Sequence, residues 1–358
     1  MSRRESLDAL RKKIDRVDSR FVALLNERAS LALKIGQHKD RTGERVYVAS
    51  REREVYRRIA EANPGPLPTA SVRAVFREVL SACRGIEAEM KVAFFGPEAT
   101  FTHMAAQRHF GSTVRYRPEP TIADVFREVG AGNVDYGVVP VENSTEGVVT
   151  HTLDLLQDAD AQICGEVSID IELCLLSRSG RAADVRRILS HSHALGQCRR
   201  WLGAHHADAS VEAVASTAQA AREARADRQV AAVASRLAGD VYGLKIVQAN
   251  IADNHDNMTR FFVIGDDPPS PTGEDKTSIV FAAKDRVGVL HEMLAPFAGH
   301  GINLTKIESR PSRQKAWEYV FFIDFKGHRQ EKHVEKALEQ LAQSCVFLKV
   351  LGSYPQGL

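Results

Sequence analysis

The apolar residues near the amino terminus recur with the period of an α-helix. Beginning at Leu7, they step along the chain by alternating threes and fours as far as Ile35, and only Arg28 interrupts the series. This spacing predicts one long helix with a continuous apolar seam. Two shorter helical patterns follow, separated by a Pro/Gly-rich break at 63–68. The helices are predicted over about Arg4–Lys39, from Ser50 to the break, and over about Thr69–Glu89.

At Lys91 the pattern changes to short apolar strands followed by helices. The segment "KVAFFGPEATFTHMAA" predicts a buried strand, a Gly-Pro turn and a helix capped by Thr100. This alternation predicts α/β sheets with ligand-binding loops at the strand ends. Beyond a Pro-rich linker at 265–275, the order β-α-β-β-α-β predicts a ferredoxin-like module of about 80 residues. Further strand–loop–helix units are predicted at 135–147, 186–202 and 229–239.

Length, composition and charge restrict the class of protein but do not identify its function. A chain of 358 residues is long enough for two or three domains, and 44% apolar with 26% charged residues is ordinary for a soluble protein. The net charge of +2 gives no reason to expect a nucleic-acid partner. Residues 1–90 carry 19 Lys/Arg against 13 Asp/Glu, a local excess of +6 that would suit a small anionic ligand.

Cysteine usage and the amino terminus favour the cytoplasm. Five scattered cysteines, without C-x-x-C spacing, are typical of reduced structural thiols and not of a zinc site or a disulfide framework. The first residues, "MSRRESLDALRKK", are too charged for a secretory signal, and no apolar run approaches the length of a membrane span. We therefore expect a cytoplasmic protein with no membrane partner.

Arg28 occupies a position on the seam that packing would give to an apolar residue. It could extend its charge to solvent, pair with a buried carboxylate, or bind a ligand. Lys39 lies 11 residues further on and returns to nearly the same helix face at about 100° per residue. Arg11 lies 17 residues back, about 25 Å along the axis, so it can reach the same small ligand only from a second subunit. Arginines paired in this way would suit a compact dicarboxylate.

Three segments of the helical region resemble the all-helical chorismate mutase domain, an intertwined dimer: "LDALRKKIDRVDSRFVALLNERASLALKIGQHK", "SREREVYRRI" and "FREVLSACRGIEAE". The resemblance implies that Arg28 and the partner subunit's Arg11 hold the two carboxylates of chorismate. It also implies that Lys39 faces the ether oxygen and that Glu52, with Arg51 beside it, binds the ring hydroxyl. The reaction is a pericyclic rearrangement, so clamping the reactive conformer and stabilising the ether charge would suffice.

Glu87 stands where some members of that family carry glutamine at a second ether-oxygen contact. A carboxylate cannot donate a hydrogen bond, so Glu87 would have to be protonated to assist. The expected consequence is a mutase activity that falls as pH rises.

Residues 91–267 resemble prephenate dehydratase, a two-lobed α/β fold of the periplasmic-binding-protein type with its site between the lobes. The resemblance rests mainly on "VVPVENSTEGVVTHTLDLL" (138–156) and "NHDNMTRFFVIG" (254–265). Taken singly, the first could be a polar turn before a helix and the second an edge strand. Together, in this order and at this separation, they indicate the family. No cofactor or metal is expected for either reaction.

Prephenate loses carbon dioxide and its ring hydroxyl, so the site must bind carboxylates and donate a hydrogen bond to the leaving group. The resemblance makes Thr259 that donor, with Asn143 and Gln197 lining the pocket. The further carboxylate ligands that it implies are Arg260, Ser144 and Thr145, the last two acting with the amides of a helix that they begin.

Two departures from the family pattern lie near this predicted site. Ala99 replaces the usual glycine in "GPEAT", which could tighten a turn that needs glycine's backbone freedom. In "HSHALGQC" (191–198), Ser192 and His193 replace the proline and the amide of the usual H-P-Q. His103, His191 and His193 could suggest a metal site. No carboxylate or thiolate stands at ligand spacing, however, which favours ordinary polar roles for these histidines.

Residues 276–358 resemble an ACT domain, a small-molecule sensor often attached to enzymes of amino-acid biosynthesis. Gly288 in "DRVGVLHEML" lies at a strand-to-helix turn, where helix amides can receive a carboxylate. The segment "ESRP" (308–311) is the family's second signature for phenylalanine sensing. A ferredoxin-like module that serves only to dimerise is the alternative. The implied ligand residues are Gly288, Val289, Leu290, Glu308, Ser309, Arg310 and Pro311.

The three resemblances cover almost the whole chain in the order of the bifunctional chorismate mutase–prephenate dehydratase family. The domains are predicted at 1–90, 91–267 and 276–358. The implied function is conversion of chorismate to prephenate and then to phenylpyruvate, with feedback inhibition by L-phenylalanine, in a homodimer or higher homo-oligomer. Two alternatives stay open: a mutase with a decayed dehydratase, and a non-catalytic metabolite-binding regulator with an ACT sensor.

Overall fold

The computed structural model describes residues 6–42, 47–254, 256–284, 286–311 and 319–357. The chain forms two compact units. The helical unit comprises the residues up to Met90 together with Phe110–Arg115, and the second unit comprises Lys91–His109 and the residues from Tyr116 onward. Within the described residues, no helix is long and apolar enough to cross a membrane.

The helices of the first unit are α1 (Leu7–Thr42), α2 (Ala49–Ala62) and α3 (Thr69–Glu87). The three predicted helices are confirmed, although the predicted start at Arg4 lies outside the described residues. Both α1 and α2 pack against α3. Gly36 permits the close approach of α1 to α3, because a Cβ at this position would lie 3.2 Å from the Cβ of Glu87.

The apolar seam of α1 is exposed in the single chain. Ile14 and Val17 are 59% and 62% exposed, and Phe21 is 47% exposed. Among the α1 residues whose burial the structure describes, only Ala32 and Gly36 are buried. Burying one such Leu, Val or Ile side chain contributes about 1.5–3 kcal/mol. The apolar seam of α1 is therefore not part of a core within the described residues of the single chain.

The strands, in chain order, are β1 (Lys91–Phe95), β2 (Arg115–Glu119), β3 (Tyr136–Asn143), β4 (Gly147–Val148), β5 (Gln162–Asp170), β6 (Cys174–Ser177), β7 (Arg187–Ser190), β8 (Ser210–Ala213), β9 (Val230–Ala234), β10 (Lys245–Gln248), β11 (Met258–Gly265), β12 (Asp275–Ala283), β13 (Leu304–Pro311), β14 (Tyr319–Lys326) and β15 (Phe347–Pro355). The helices among them are α4 (Phe101–Phe110), α5 (Ile122–Gly130), α6 (Thr150–Asp158), α7 (Ser192–Gln197), α8 (Arg199–His205), α9 (Thr217–Ala226), α10 (Arg236–Tyr242), α11 (Val289–Gly299) and α12 (Lys332–Ser344), with a 3₁₀ turn at Ala182–Asp184.

Two mixed sheets form the two lobes that the sequence predicts. The first has the order β2-β1-β3-β11-β5, with β4 beside β3, and the second has the order β10-β6-β9-β7-β8. The chain leaves the first lobe after β5 and returns to it as β11, which runs antiparallel to both β3 and β5. This return places Thr259 directly opposite Asn143 in the β3–β11 register. Two segments far apart in sequence therefore meet at one end of the sheet.

The carboxyl-terminal module has the predicted β-α-β-β-α-β order. Its antiparallel sheet has the order β13-β14-β12-β15, and one face packs on α11 and α12. Its other face shares a core with the first lobe, in which Phe322 and Tyr354 join Val139 and Ile264. The predicted segment between β13 and β14 includes residues 312–318, which lie outside the described residues. The module and the first lobe therefore pack around one common hydrophobic core.

Candidate active and regulatory sites

A row of hydrogen-bonded side chains joins the two lobes. The Nδ2 of Asn143, at the end of β3, donates to Thr259 Oγ1 at 2.7 Å and to Asn257 Oδ1 at 2.9 Å. The Nδ2 of Asn257 donates in turn to the Oε1 of Gln197, at the end of α7, at 2.8 Å. The structure thus brings together the three residues predicted to line the dehydratase pocket.

Asn257 is the member of this row that the sequence analysis missed. It is 3% exposed, and its carbonyl accepts a hydrogen bond from the amide of Ile171 at 2.7 Å. The sequence did hold a signal, because Asn257 precedes Thr259 by two positions and residues two apart point to the same face of an extended strand. Strand β11 begins one residue later, at Met258.

The turn after β3 differs from the predicted helix start. The Oδ1 of Asn143 accepts hydrogen bonds from the amides of Thr145 and Glu146, both at 2.9 Å. Gly147–Val148 then pair with β3 as β4, and α6 begins only at Thr150. The prediction that a helix begins at these residues and offers its amides to a carboxylate is therefore wrong. The side chain of Asn143 uses those amides to close the turn.

Ser144 serves the same turn. Its amide donates to the carbonyl of Met258 at 2.8 Å, and its Oγ accepts from the Met258 amide at 3.0 Å. The Ser144 hydroxyl also donates to the carbonyl of Asp256 at 3.2 Å. Ser144 therefore binds the turn to the start of β11, which leaves its predicted role as a carboxylate ligand without a free donor.

Arg260 lies on the opposite face of β11 from Thr259, as strand alternation requires. Its Nε donates to Glu166 at 2.8 Å, its Nη1 to Asp324 at 2.7 Å and its Nη2 to the hydroxyl of Tyr354 at 3.1 Å. All three guanidinium nitrogens thus bind groups of the first lobe and the carboxyl-terminal module. These partners give Arg260 a structural role between the first lobe and the module, and its role as a ligand of a substrate carboxylate stays a prediction.

One departure from the family pattern, Ala99, has a local explanation. Ala99 has φ +67° and is fully buried, so it holds the left-handed conformation that favours glycine. Its amide donates to the Nδ1 of His103 at 3.1 Å, and its carbonyl accepts from the Oγ of Ser235 at 3.1 Å. These bonds retain the turn despite the alanine. The expectation of a tightened turn at this position agrees with the positive φ.

The histidines near the site have aromatic and polar contacts. His103 stacks on Phe94 with ring centroids 4.6 Å apart, and burial lowers the pKa of His103, which keeps its ring neutral. His191 lies 4.9 Å from His193 in edge-to-face geometry, and the Nδ1 of His193 is 3.8 Å from Glu146. No cluster of three or more metal-ligating side chains occurs in the part of the chain that the structure describes.

In the helical unit, the charges of three cationic side chains act on Glu87. Burial raises the pKa of Glu87, and the charges of Lys39, Arg28 and Arg84 oppose this rise. The two predicted ether-oxygen contacts, Lys39 and Glu87, thus lie in one electrostatic neighbourhood with Arg28. Arg84 was not predicted from the sequence.

Arg84 forms an ion pair with Glu52, and both side chains are largely buried. Its guanidinium also donates to the carbonyl of Phe110 and lies 5.3 Å from the ring centre of Tyr47. Glu52, predicted to bind the ring hydroxyl of chorismate, is therefore held in place by a buried cation. Arg51 beside it pairs with Glu54 on the exposed surface.

Arg11 is not brought near Arg28 within one chain, because both lie on the continuous helix α1. The Arg11 side chain is exposed, and its Nη1 lies 3.8 Å from Asp8. A shared ligand for Arg11 and Arg28 would require a second chain, as the helical spacing predicts.

The predicted phenylalanine-sensing residues lie on two elements of the carboxyl-terminal module. Gly288, with φ +80°, precedes α11, whose first residues are Val289 and Leu290. Along β13, Glu308 and Arg310 share the half-buried face, and Ser309 and Pro311 share the exposed face. Arg310 donates from Nη1 to Asp154 at 2.8 Å and to the carbonyl of Thr150 at 2.9 Å, both on α6 of the first lobe.

Comparisons with known proteins agree with this architecture. Three family models match consecutive parts of the chain: chorismate mutase type II over residues 10–88, prephenate dehydratase over 92–269 and the ACT domain over 277–343. The bifunctional chorismate mutase/prephenate dehydratase of Aquifex aeolicus is 49% identical over 99% of this chain and 99% of its own length. The chain belongs to this bifunctional family. The member from Pseudomonas aeruginosa is 45% identical over 100% of both chains.

A solved structure extends the comparison to regulation. The prephenate dehydratase of Arthrobacter aurescens, in complex with L-Phe, is 35% identical with a TM-score of 0.69, covering 74% of this chain and 90% of that one. The predicted family, the predicted multidomain fold class and the prediction of a bifunctional enzyme are confirmed. The individual site residues and the domain bounds stay predictions.

Proposed function

We propose that the helical domain rearranges chorismate to prephenate and that the two-lobed domain converts prephenate to phenylpyruvate, with L-phenylalanine acting on the ACT domain as a feedback inhibitor. The observation that supports the second step most directly is the 2.7 Å hydrogen bond from Asn143 to Thr259 between β3 and β11. It holds a hydroxyl group at the end of the sheet, where a leaving group can receive a proton.

The dehydratase step breaks the bond between the ring and its carboxylate, and carbon dioxide leaves. The released electron pair completes the aromatic ring as the hydroxyl at the far ring position departs, and a proton makes it water. Thr259 accepts a hydrogen bond from Asn143, so its own O–H can donate to that hydroxyl. A neutral hydroxyl is a weak acid, so its contribution is mainly a strong, positioned hydrogen bond.

The mutase step requires no covalent catalyst. In our proposal Arg28 and the partner subunit's Arg11 bind the two carboxylates, while Lys39 and protonated Glu87 stabilise the ether oxygen as its bond breaks. The exposed seam of α1 supports a homodimer, since a second copy of α1 would bury these side chains and supply the missing arginine. The cysteines form no disulfide and four of them are buried, which supports a reducing cytoplasm as the site of action.

The experiment is a time course on the purified protein with chorismate alone, quantifying prephenate and phenylpyruvate together. We expect prephenate to rise first and phenylpyruvate to follow. Thr259→Ala should lower dehydratase kcat by about 100-fold or more, while mutase activity in the same polypeptide provides the control. Phenylpyruvate formation at the normal rate by Thr259→Ala would refute the assignment. Prephenate that accumulates unchanged with the wild-type protein would favour the alternative of a decayed dehydratase.

A further inference from the structure

We propose that Asn257 is a positioning residue that fixes the hydrogen-bond polarity of the dehydratase pocket, an inference that rests on the proposed function of that site. Asn257 connects Asn143 to Gln197 and is itself 3% exposed. Through these two bonds, Asn257 determines whether Gln197 and Thr259 offer hydrogen-bond donors or acceptors to a substrate.

The polarity begins at the backbone. The amides of Thr145 and Glu146 can only donate, and both point at the same atom of Asn143, each at 2.9 Å. That atom must therefore be the carbonyl oxygen Oδ1, which leaves Nδ2 on the other side of the amide. The two Nδ2 hydrogens then bind Asn257 Oδ1 and Thr259 Oγ1.

The same logic passes through Asn257. Because its Oδ1 accepts from Asn143, its Nδ2 faces Gln197 and must find an acceptor there. Gln197 consequently presents Oε1 to Asn257 and keeps the two N–H groups of Nε2 for other partners. The main chain prevents Asn257 from turning away, since its carbonyl accepts from the Ile171 amide.

The outcome matches the chemistry of an anionic substrate. Among the described residues, the Thr259 O–H and the two N–H groups of Gln197 have no acceptor, so both predicted pocket residues become donors. With the Asn257 amide reversed, Gln197 would offer an oxygen lone pair to a carboxylate, an arrangement that costs binding energy. Asn257 therefore transmits the fixed orientation of the Asn143 amide in the first lobe to Gln197 in the second lobe, whose N–H groups then face the substrate.

The isosteric variant Asn257→Asp tests this polarity without changing the volume of the side chain. The introduced carboxylate still accepts from Asn143 but cannot donate to Gln197, whose amide then rotates and presents Oε1 to the substrate. We expect dehydratase kcat/KM at pH 8 to fall by about 10- to 100-fold, with normal mutase activity. Lowering the pH should restore activity, because a protonated carboxyl group can donate to Gln197 again.

Two further variants separate this role from a structural one. Asn257→Leu removes both bonds and should lose activity without recovering at low pH. Asn254→Asp is the matched control: the Asn254 Oδ1 only accepts, from the Asp256 amide at 3.1 Å, so the carboxylate keeps that bond and activity should stay normal. The control profile accounts for the ionisable side chains on neighbouring segments, which are present in every variant; they are Glu146, His191, His193, Asp253 and Asp256.

The outcomes are distinguishable. Wild-type kcat/KM and an unchanged pH profile for Asn257→Asp would overturn the positioning role, even if Thr259→Ala is inactive. Full activity of Thr259→Ala would instead overturn the proposed site. Equal loss in Asn257→Asp and Asn257→Leu, with no recovery at low pH, would also overturn the positioning role and assign Asn257 to folding of the pocket.

Discussion

At the scale of single residues, Glu87 links the environment of one carboxyl group to the pH range of an activity. Burial raises its pKa, so the protonated form persists to higher pH than for an exposed glutamate, although Lys39, Arg28 and Arg84 work against this rise. Only the protonated form can donate to an ether oxygen. The acid form is lost as pH rises through the shifted pKa.

We therefore predict that mutase kcat/KM falls as pH rises and that Glu87→Gln flattens this profile. Glutamine donates at every pH, so the variant should exceed the wild type on the alkaline side and resemble it on the acidic side. The measurement is kcat/KM for chorismate across the pH range on both proteins. Identical profiles would remove Glu87 from the mechanism.

Residues that are adjacent in sequence can have unrelated roles. Thr259 and Arg260 belong to one short motif, yet the hydroxyl joins the row at the lobe junction and the guanidinium is held by Glu166 and Asp324. Strand alternation predicts that these two side chains lie on opposite faces of β11. The partners of Arg260 could not be predicted, because they lie 94 and 64 residues away in the sequence.

At the scale of elements, α1 carries two arginines that can share a ligand only across a dimer axis. Mixing the variants Arg11→Ala and Arg28→Ala tests this arrangement. Each homodimer should lack mutase activity, but a mixed dimer pairs the intact Arg28 of one chain with the intact Arg11 of the other. An equal mixture with random pairing should recover about a quarter of the wild-type activity, because half the dimers are mixed and one site in each is whole.

The test requires refolding or co-expression so that subunits exchange, and dehydratase activity reports the recovery of folded protein. Arg57→Ala, on α2 and paired only weakly with Glu61 at the surface, serves as a control that should keep its mutase activity. Failure of the mixture to recover any mutase activity, with mixed dimers present, would place both arginines of a site on one chain or exclude one of them.

At the scale of the whole molecule, α6 is held by the ACT domain from two sides. Arg310 binds Asp154 and the carbonyl of Thr150, and the Nζ of Lys349 donates to the carbonyls of Leu156 and Gln157 near the end of the helix. Burial lowers the pKa of Lys349. The helix follows directly after the turn closed by Asn143, so α6 connects the predicted sensor strand to the predicted pocket.

We predict that Asp154→Asn weakens feedback without abolishing catalysis. The neutral amide loses the ion pair with Arg310, so the concentration of L-phenylalanine for half-inhibition of the dehydratase should rise several-fold, while calorimetric binding of L-phenylalanine changes little. Asp184→Asn, which removes the Arg228 pair on the second lobe, is the matched control and should be inhibited normally. Unaltered inhibition of Asp154→Asn would show that this contact does not couple the sites.

The secondary-structure elements could be predicted from the sequence better than the side-chain contacts between distant parts of the chain. The three helices, the linker and the β-α-β-β-α-β order depend on residues a few positions apart, where periodicity is informative. The meeting of Asn143 with Thr259, across 116 residues, required the return of β11 to the first sheet, and only the family motifs pointed to it. Arg84 and Glu52 also lie in two of the quoted family segments, but neither segment indicated that they would form a buried pair.

The exposed seam of α1 also bears on how the protein is made. Helix α1 precedes the other described elements along the chain, so it leaves the ribosome before them, and its row of apolar side chains stays exposed in the single chain. If a second chain covers it, a helix synthesised before the other described elements is buried last, after two polypeptides have met. During that interval it is the natural target for chaperones and for aggregation, so yield on expression should depend on subunit concentration and chaperone supply.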